Sequence, residues 1–191
     1  MSKGRLEAFS DGVIAIIITI MVLELPRPEG ATLASLSPLV AKLPAYALSF
    51  LFLGIYWNNH HHLFQVVERV NGAVLWANLH LLFWVSLVPF VTGWAGDNGS
   101  VSLPVALYGT VLLLAGSAYY ILVRTLLVLH ARESRLAIAI GRDTKGKVSL
   151  VIYAFAIPAS AFSPAFAWSL YFAVALIWLV PDRRIEKTLR P

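Results

Sequence analysis

The sequence contains no cysteine, which excludes structural disulfides, thiolate metal sites and cysteine nucleophiles. Charge is also scarce. Only 13% of the 191 residues are Asp, Glu, Lys or Arg, while 59% are hydrophobic, which excludes a soluble globular domain of ordinary surface. No low-complexity tract is present. Neither an internal repeat nor an inverted repeat stands out, so the architecture common among secondary transporters has no support here. What the chain does have is a series of long apolar runs separated by short polar segments. Bilayer hydrocarbon is roughly 30 Å thick and a helical span needs about 20 residues, so the length suffices for five or six spans and leaves none for a soluble domain. The first apolar run follows charged residues without a small-residue cleavage site, and is expected to be a retained helix.

The net charge of +5 raises the question of nucleic acid. The basic residues flank apolar spans and form no stripe with interleaved aromatics, so nucleic acid is not an expected partner and anionic membrane lipid is.

The reading along the chain is an all-α membrane protein, one domain over residues 1–191. Six transmembrane helices are expected at about 9–25, 39–64, 72–94, 103–129, 148–162 and 165–180. Pro26 and Pro28 stop the first. The last apolar stretch, 148–180, would be about 50 Å long as one helix, and Pro158 and Pro164 divide it into a tight hairpin of two short spans. The positive-inside rule favours six spans with both termini cytoplasmic. That topology puts Lys3, Arg5, Arg69, Arg132, Arg135, Arg142, Lys145, Lys147, Arg183, Arg184, Lys187 and Arg190 inside, twelve of the fifteen cations. Arg27 and Lys42 fall outside, and Arg124 snorkels from the inner end of the fourth span.

The first span has an unusual polar start, with Ser10 and Asp11 ahead of an unbroken apolar run. One reading makes them an N-cap with a carboxylate at the positive end of the helix dipole. The other pairs the carboxylate across helices, with Arg5 and the histidines of the second span as candidates. Gly12, Ile16, Thr19, Ile20 and Leu23 recur at helical spacing and form one stripe, which by spacing alone is a packing stripe. His60, His61 and His62 lie about 100° apart around a helix, so they cannot build one compact metal site by themselves. An axial haem pair such as His61 with His80 is geometrically open, and a structural hydrogen-bond network is the simpler use of these rings.

The run Arg5-x-x-x-Phe9-Ser10-Asp11-Gly12-x-x-x-Ile16-x-x-Thr19, with Tyr56-Trp57-x-x-His60-His61, Asn78 and Pro89-Phe90 downstream, resembles the lysosomal-type potassium channels, the transmembrane protein 175 family. The resemblance covers essentially the whole chain. It implies a prokaryotic single-repeat member, a homotetramer in the cell membrane, conducting potassium ions and needing no catalytic residue, metal or cofactor. It further implies that the first helices of four subunits line the pore, with Ile16, Ile20 and Leu23 as apolar constriction rings and Thr19 as a ring of hydroxyls. Arg5, Phe9, Ser10 and Asp11 then belong to a structural polar network with Trp57, His60 and Asn78.

Elementary physics fits that expectation. The chain has no re-entrant selectivity-filter loop of the TVGYG kind, and Tyr108-Gly109 sits in the middle of a span. Rings of branched apolar side chains gate by dewetting and make an ion shed water, which costs sodium more than potassium. Glu24, near the outer end of the span, would concentrate cations at the mouth. The alternative is a proton-coupled or small-solute transporter using Arg5, Asp11 and His60 as a relay.

Overall fold

The computed structural model describes residues 2–130, 134–140 and 143–179, and among these the regular structure is helical throughout. Helix α1, Lys3–Ile20, tightens into a 3₁₀ turn over Met21–Glu24 before Pro26 and Pro28 end it. Its start corrects the N-cap reading of Ser10 and Asp11. Seven residues of helix precede Ser10, so both side chains stand inside the helix rather than at its end.

After a 3₁₀ turn at Leu33–Leu36, α2 runs over Ser37–Gln65 with Pro38 in its first turn, where a missing N–H costs nothing. The predicted third span is two helices, α3 (Gly72–Ser86) and α4 (Val88–Asp97). Pro89 is the cause: it has no N–H for Val85 and its ring crowds that carbonyl. Leu87 instead bonds back to Trp84 at 3.2 Å, a tighter turn, and the ladder resumes with Val91 on Leu87 at 3.2 Å.

Helix α5, Ser102–Leu129, is the centre of the fold and packs against α3, α4, α7 and α8. Its buried face is Val105, Tyr108, Leu112, Ala115, Leu122 and Leu126. Beyond the short α6 (Arg135–Ile140), α7 (Thr144–Ala159) and α8 (Pro164–Leu179) form a hairpin turned at residues 160–163. Asp143 opens α7 with φ 41°, a left-handed conformation that Asp tolerates, and its carboxylate accepts from Gly146 N–H at 3.2 Å.

Among the described residues, four segments are long and apolar enough to cross a membrane: Lys3–Glu24, Leu33–Gln65, Gly72–Asp97 and Ser102–Leu129. Pro164–Leu179 is apolar but shorter, about 24 Å of helix. Arg132, Arg142 and the tail cations Arg183, Arg184, Lys187 and Arg190 lie outside the described residues, as does the expected cytoplasmic C-terminus.

Packing explains Tyr108-Gly109. Tyr171 of α8 donates to the Val105 carbonyl at 3.1 Å, and a Cβ on Gly109 would overlap its hydroxyl and ring. The pair sits in an unbroken helix, with Tyr108 in the core. Only 28% of the most apolar window of Lys3–Glu24 is buried within the subunit. The remainder needs lipid or another copy of the chain to cover it.

Candidate functional site

Helix α1 has two opposite faces. Leu6, Ser10, Ile14, Ile17 and Met21 are buried, recurring every three or four residues against α2 and α3. Opposite them Phe9, Gly12, Ile16, Thr19, Ile20 and Leu23 are exposed. Leu23 is 77% exposed and Ile16 61%, values no isolated subunit would leave bare in a folded core. The stripe predicted from spacing is therefore the free face of α1, and the small residue, the hydroxyl and the branched side chains share it. Thr19 donates its hydroxyl proton to the Ile16 carbonyl at 2.9 Å, so its oxygen lone pairs are what the free face presents.

The buried face is tied down by a directed chain of hydrogen bonds. Ser10 donates to the Leu6 carbonyl at 2.9 Å, within its own helix, and so leaves its oxygen as an acceptor. Asn78 of α3 donates to that oxygen at 2.9 Å. The other end of the amide, Oδ1, then accepts from His60 Nε2 of α2 at 2.8 Å, which fixes the ring proton on Nε2. All three side chains are buried, and His60 also stacks on Phe64 with centroids 4.6 Å apart. One amide thus joins three helices.

Asp11 is held separately. Its carboxylate accepts from the Trp57 indole N–H at 3.1 Å, so neither Arg5 nor a histidine is its partner as expected from sequence. Arg5 and Asp11 are six residues apart, which is 240° around the helix, and their side chains diverge. Arg5 and Phe9 stand on the exposed side of α1, and Arg5 makes no ion pair or hydrogen bond among the described residues. The histidines point three ways: His60 inward, while His61 meets Gln65 Nε2 at 2.8 Å and His62 meets Gln65 Oε1 at 3.4 Å. His80 Nε2 accepts from the Trp84 indole at 2.9 Å. No group of three His, Asp or Glu forms a metal cradle among the described residues.

Glu24 remains exposed but folds back on α4, where a Cβ at Gly93 would overlap its carboxylate. Two polar anchors had no signal in the sequence. Ser49, Tyr108 and Thr92 join α2, α5 and α4 through buried hydroxyls 2.9 and 2.7 Å apart. Lys42 and Asp97 form an ion pair that joins α2 to the end of α4. A lone serine in an apolar run looks like any helix residue.

Residues 5–89 match the family described as endosomal/lysosomal potassium channel TMEM175. A Chryseobacterium protein named a potassium channel is 54% identical over 190 residues, covering 100% of this chain and 99% of that one. The crystal structure of a lysosomal potassium-selective channel TMEM175 homolog from Chamaesiphon minutus superposes with a TM-score of 0.81 at 28% identity, covering 94% of this chain and 97% of that one. The Homo sapiens protein named endosomal/lysosomal proton channel TMEM175 is 36% identical over 101 residues, a match that spans 20% of its length.

Proposed function

From the premise that this chain belongs to the TMEM175 family, we propose that it is one subunit of a potassium-selective channel in a prokaryotic cell membrane. Four copies assemble around an axis, and α1 of each faces it. The observation that carries this reading is the division of α1 into a hydrogen-bonded inner face and a free face of Ile16, Thr19, Ile20 and Leu23. A helix that only met lipid would have no need for Gly12 and Thr19 on its outer stripe. Cyclic symmetry makes a pore from one helix per chain, which suits a subunit whose own core is filled.

In that arrangement Ile16, Ile20 and Leu23 form stacked apolar rings that exclude water when narrow. A cation passing them sheds part of its hydration, and potassium holds water less tightly than sodium. Thr19 oxygens, with their protons turned to the Ile16 carbonyl, offer partial replacement. The polar chain from Ser10 through Asn78 to His60 keeps each α1 in register, so the ring diameter is set by rigid packing. The shorter α7 and α8 complete six spans, with the N-terminus cytoplasmic and the bilayer thinned or the helices' ends snorkelling around the hairpin.

The test is a reversal potential with purified protein in a planar bilayer, potassium on one side and sodium on the other, at equal pH. Reversal near the potassium equilibrium potential with discrete openings supports the reading. Reversal that follows an imposed pH gradient instead makes protons the permeant ion, and saturable uptake without unitary currents makes the protein a transporter.

A further inference from the structure

A groove of about 510 Å³ opens on the side of the subunit where the beginning of α3 meets the last three turns of α5. Asn71, Tyr120, Arg124, Thr125, Val128 and Leu129 line it, with Ala73 and Ile121 between them. Its chemistry changes along its length. Ile121 is 44% exposed and Val128 85%, an apolar surface facing outward, while Arg124 is exposed between them and makes no hydrogen bond or ion pair with the described residues. A second guanidinium lies beside the Leu129 end of the groove: Arg69 donates through Nη2 to the carbonyl of Leu129, a residue of the groove wall, at 3.0 Å. The corner is built rather than loose. Glu68 N–H donates to His130 Nε2 at 3.3 Å, and His130 Nδ1 lies 2.8 Å from the Leu126 carbonyl, so the α2–α3 loop is fastened to the end of α5.

We propose that this groove binds one anionic phospholipid of the inner leaflet, its phosphate on Arg124 and Arg69 and an acyl chain along Ile121 and Val128. Charge complementarity selects this occupant. Arg124 stands five residues before the end of α5, about 7.5 Å from it, which in the topology proposed above, on which the choice of leaflet rests, is the depth where phosphates meet hydrocarbon. A guanidinium at that depth without a carboxylate partner needs an anion, and its planar fork matches a phosphodiester. Tyr120, one turn before Arg124 on the same helix, adds the face of a ring to the apolar part of the groove. The inference is independent of what the channel conducts.

The experiment uses the full chain purified in mild detergent and mixed with phosphatidylglycerol or phosphatidylcholine, with retained lipid counted by native mass spectrometry. Phosphatidylglycerol is expected to be retained in preference by about tenfold, and Arg124→Gln to abolish that preference. Ala73→Trp fills the exposed groove and leaves both arginines, and it is expected to cause the same loss with unchanged helicity. Equal retention of the two lipids, or wild-type retention of phosphatidylglycerol by both variants, overturns the proposal. So does a change of oligomeric mass with unchanged lipid retention, because the groove would then be covered by another copy of the chain.

Discussion

Asn78 of α3 donates to the hydroxyl oxygen of Ser10 in α1 at 2.9 Å, and both side chains are fully buried. The contact joins residues 68 apart in the chain and fixes the rotation of α1 about its own axis. Rotating α1 by the 100° of one residue would break it and turn a different stripe outward.

Asn78→Leu removes both bonds of the amide: the His60 N–H is left buried without a partner, while Ser10 keeps its bond to the Leu6 carbonyl and loses only the donor to its oxygen. A buried polar group left unpaired costs about 1–3 kcal/mol, and one is orphaned here. Thermal unfolding in detergent is expected to shift down, with loss of the assembled species on size exclusion. Wild-type melting and assembly would show that the amide is dispensable.

Trp57 and Asp11 offer a double-mutant cycle. Trp57→Phe and Asp11→Ala each break one charge-assisted hydrogen bond, worth about 1.5–3 kcal/mol when shielded and less here, where the Trp57 side is 44% exposed. The double variant is expected to cost little more than either single one. Strictly additive losses in denaturation midpoints would mean the two residues act apart.

Ile16→Asn and Leu23→Asn wet the free face of α1. Single-channel conductance is expected to rise and the potassium-over-sodium permeability ratio to fall toward unity for at least one of them. If both variants keep wild-type currents and reversal potentials, α1 does not line the pore.

Gly109→Val places a branched side chain where Tyr171 lies over α5. Overpacking of this kind costs about 1–3 kcal/mol, and separating α8 from α5 is the way to relieve it. The melting temperature is expected to fall, while Tyr171→Phe, which keeps the ring and loses the 3.1 Å bond to Val105, costs less.

Lys42→Met breaks the ion pair to Asp97, whose side chain is 53% exposed. Stability is expected to change by less than about 1 kcal/mol and to lose what little salt dependence the pair gives. A larger loss in melts at low and high salt would point to a buried role for the pair.

The apolar runs and their prolines were enough to place the long apolar helices, because membrane-length apolar runs and breaker residues are local signals, but not the short α6 (Arg135–Ile140), which has no such run. The two ends of the third run were readable for that reason, and its break was not: Pro89 was visible, but a proline either kinks a helix or ends it, and the packing of α4 on α2 and α5 decided. The free stripe of α1 was legible as a pattern because exposure repeats with helical period. Its opposite, the anchored stripe, was only half legible. Ser10 and Asp11 look like a helix start, and the helix begins at Lys3 because nothing in Lys3 to Phe9 breaks it.

By itself, then, the sequence determined that the chain is helical, that it needs an apolar solvent, and that one face of its first helix differs from the other, since composition and periodicity act over a few turns. Tertiary structure decided which side chains meet: that Asp11 goes to Trp57 and not to Arg5, that His60 alone of its cluster turns inward, and that Ser49 finds Tyr108 across 59 residues. Hydrogen bonds hold only over about 3 Å, and which donors come that close depends on how whole helices pack.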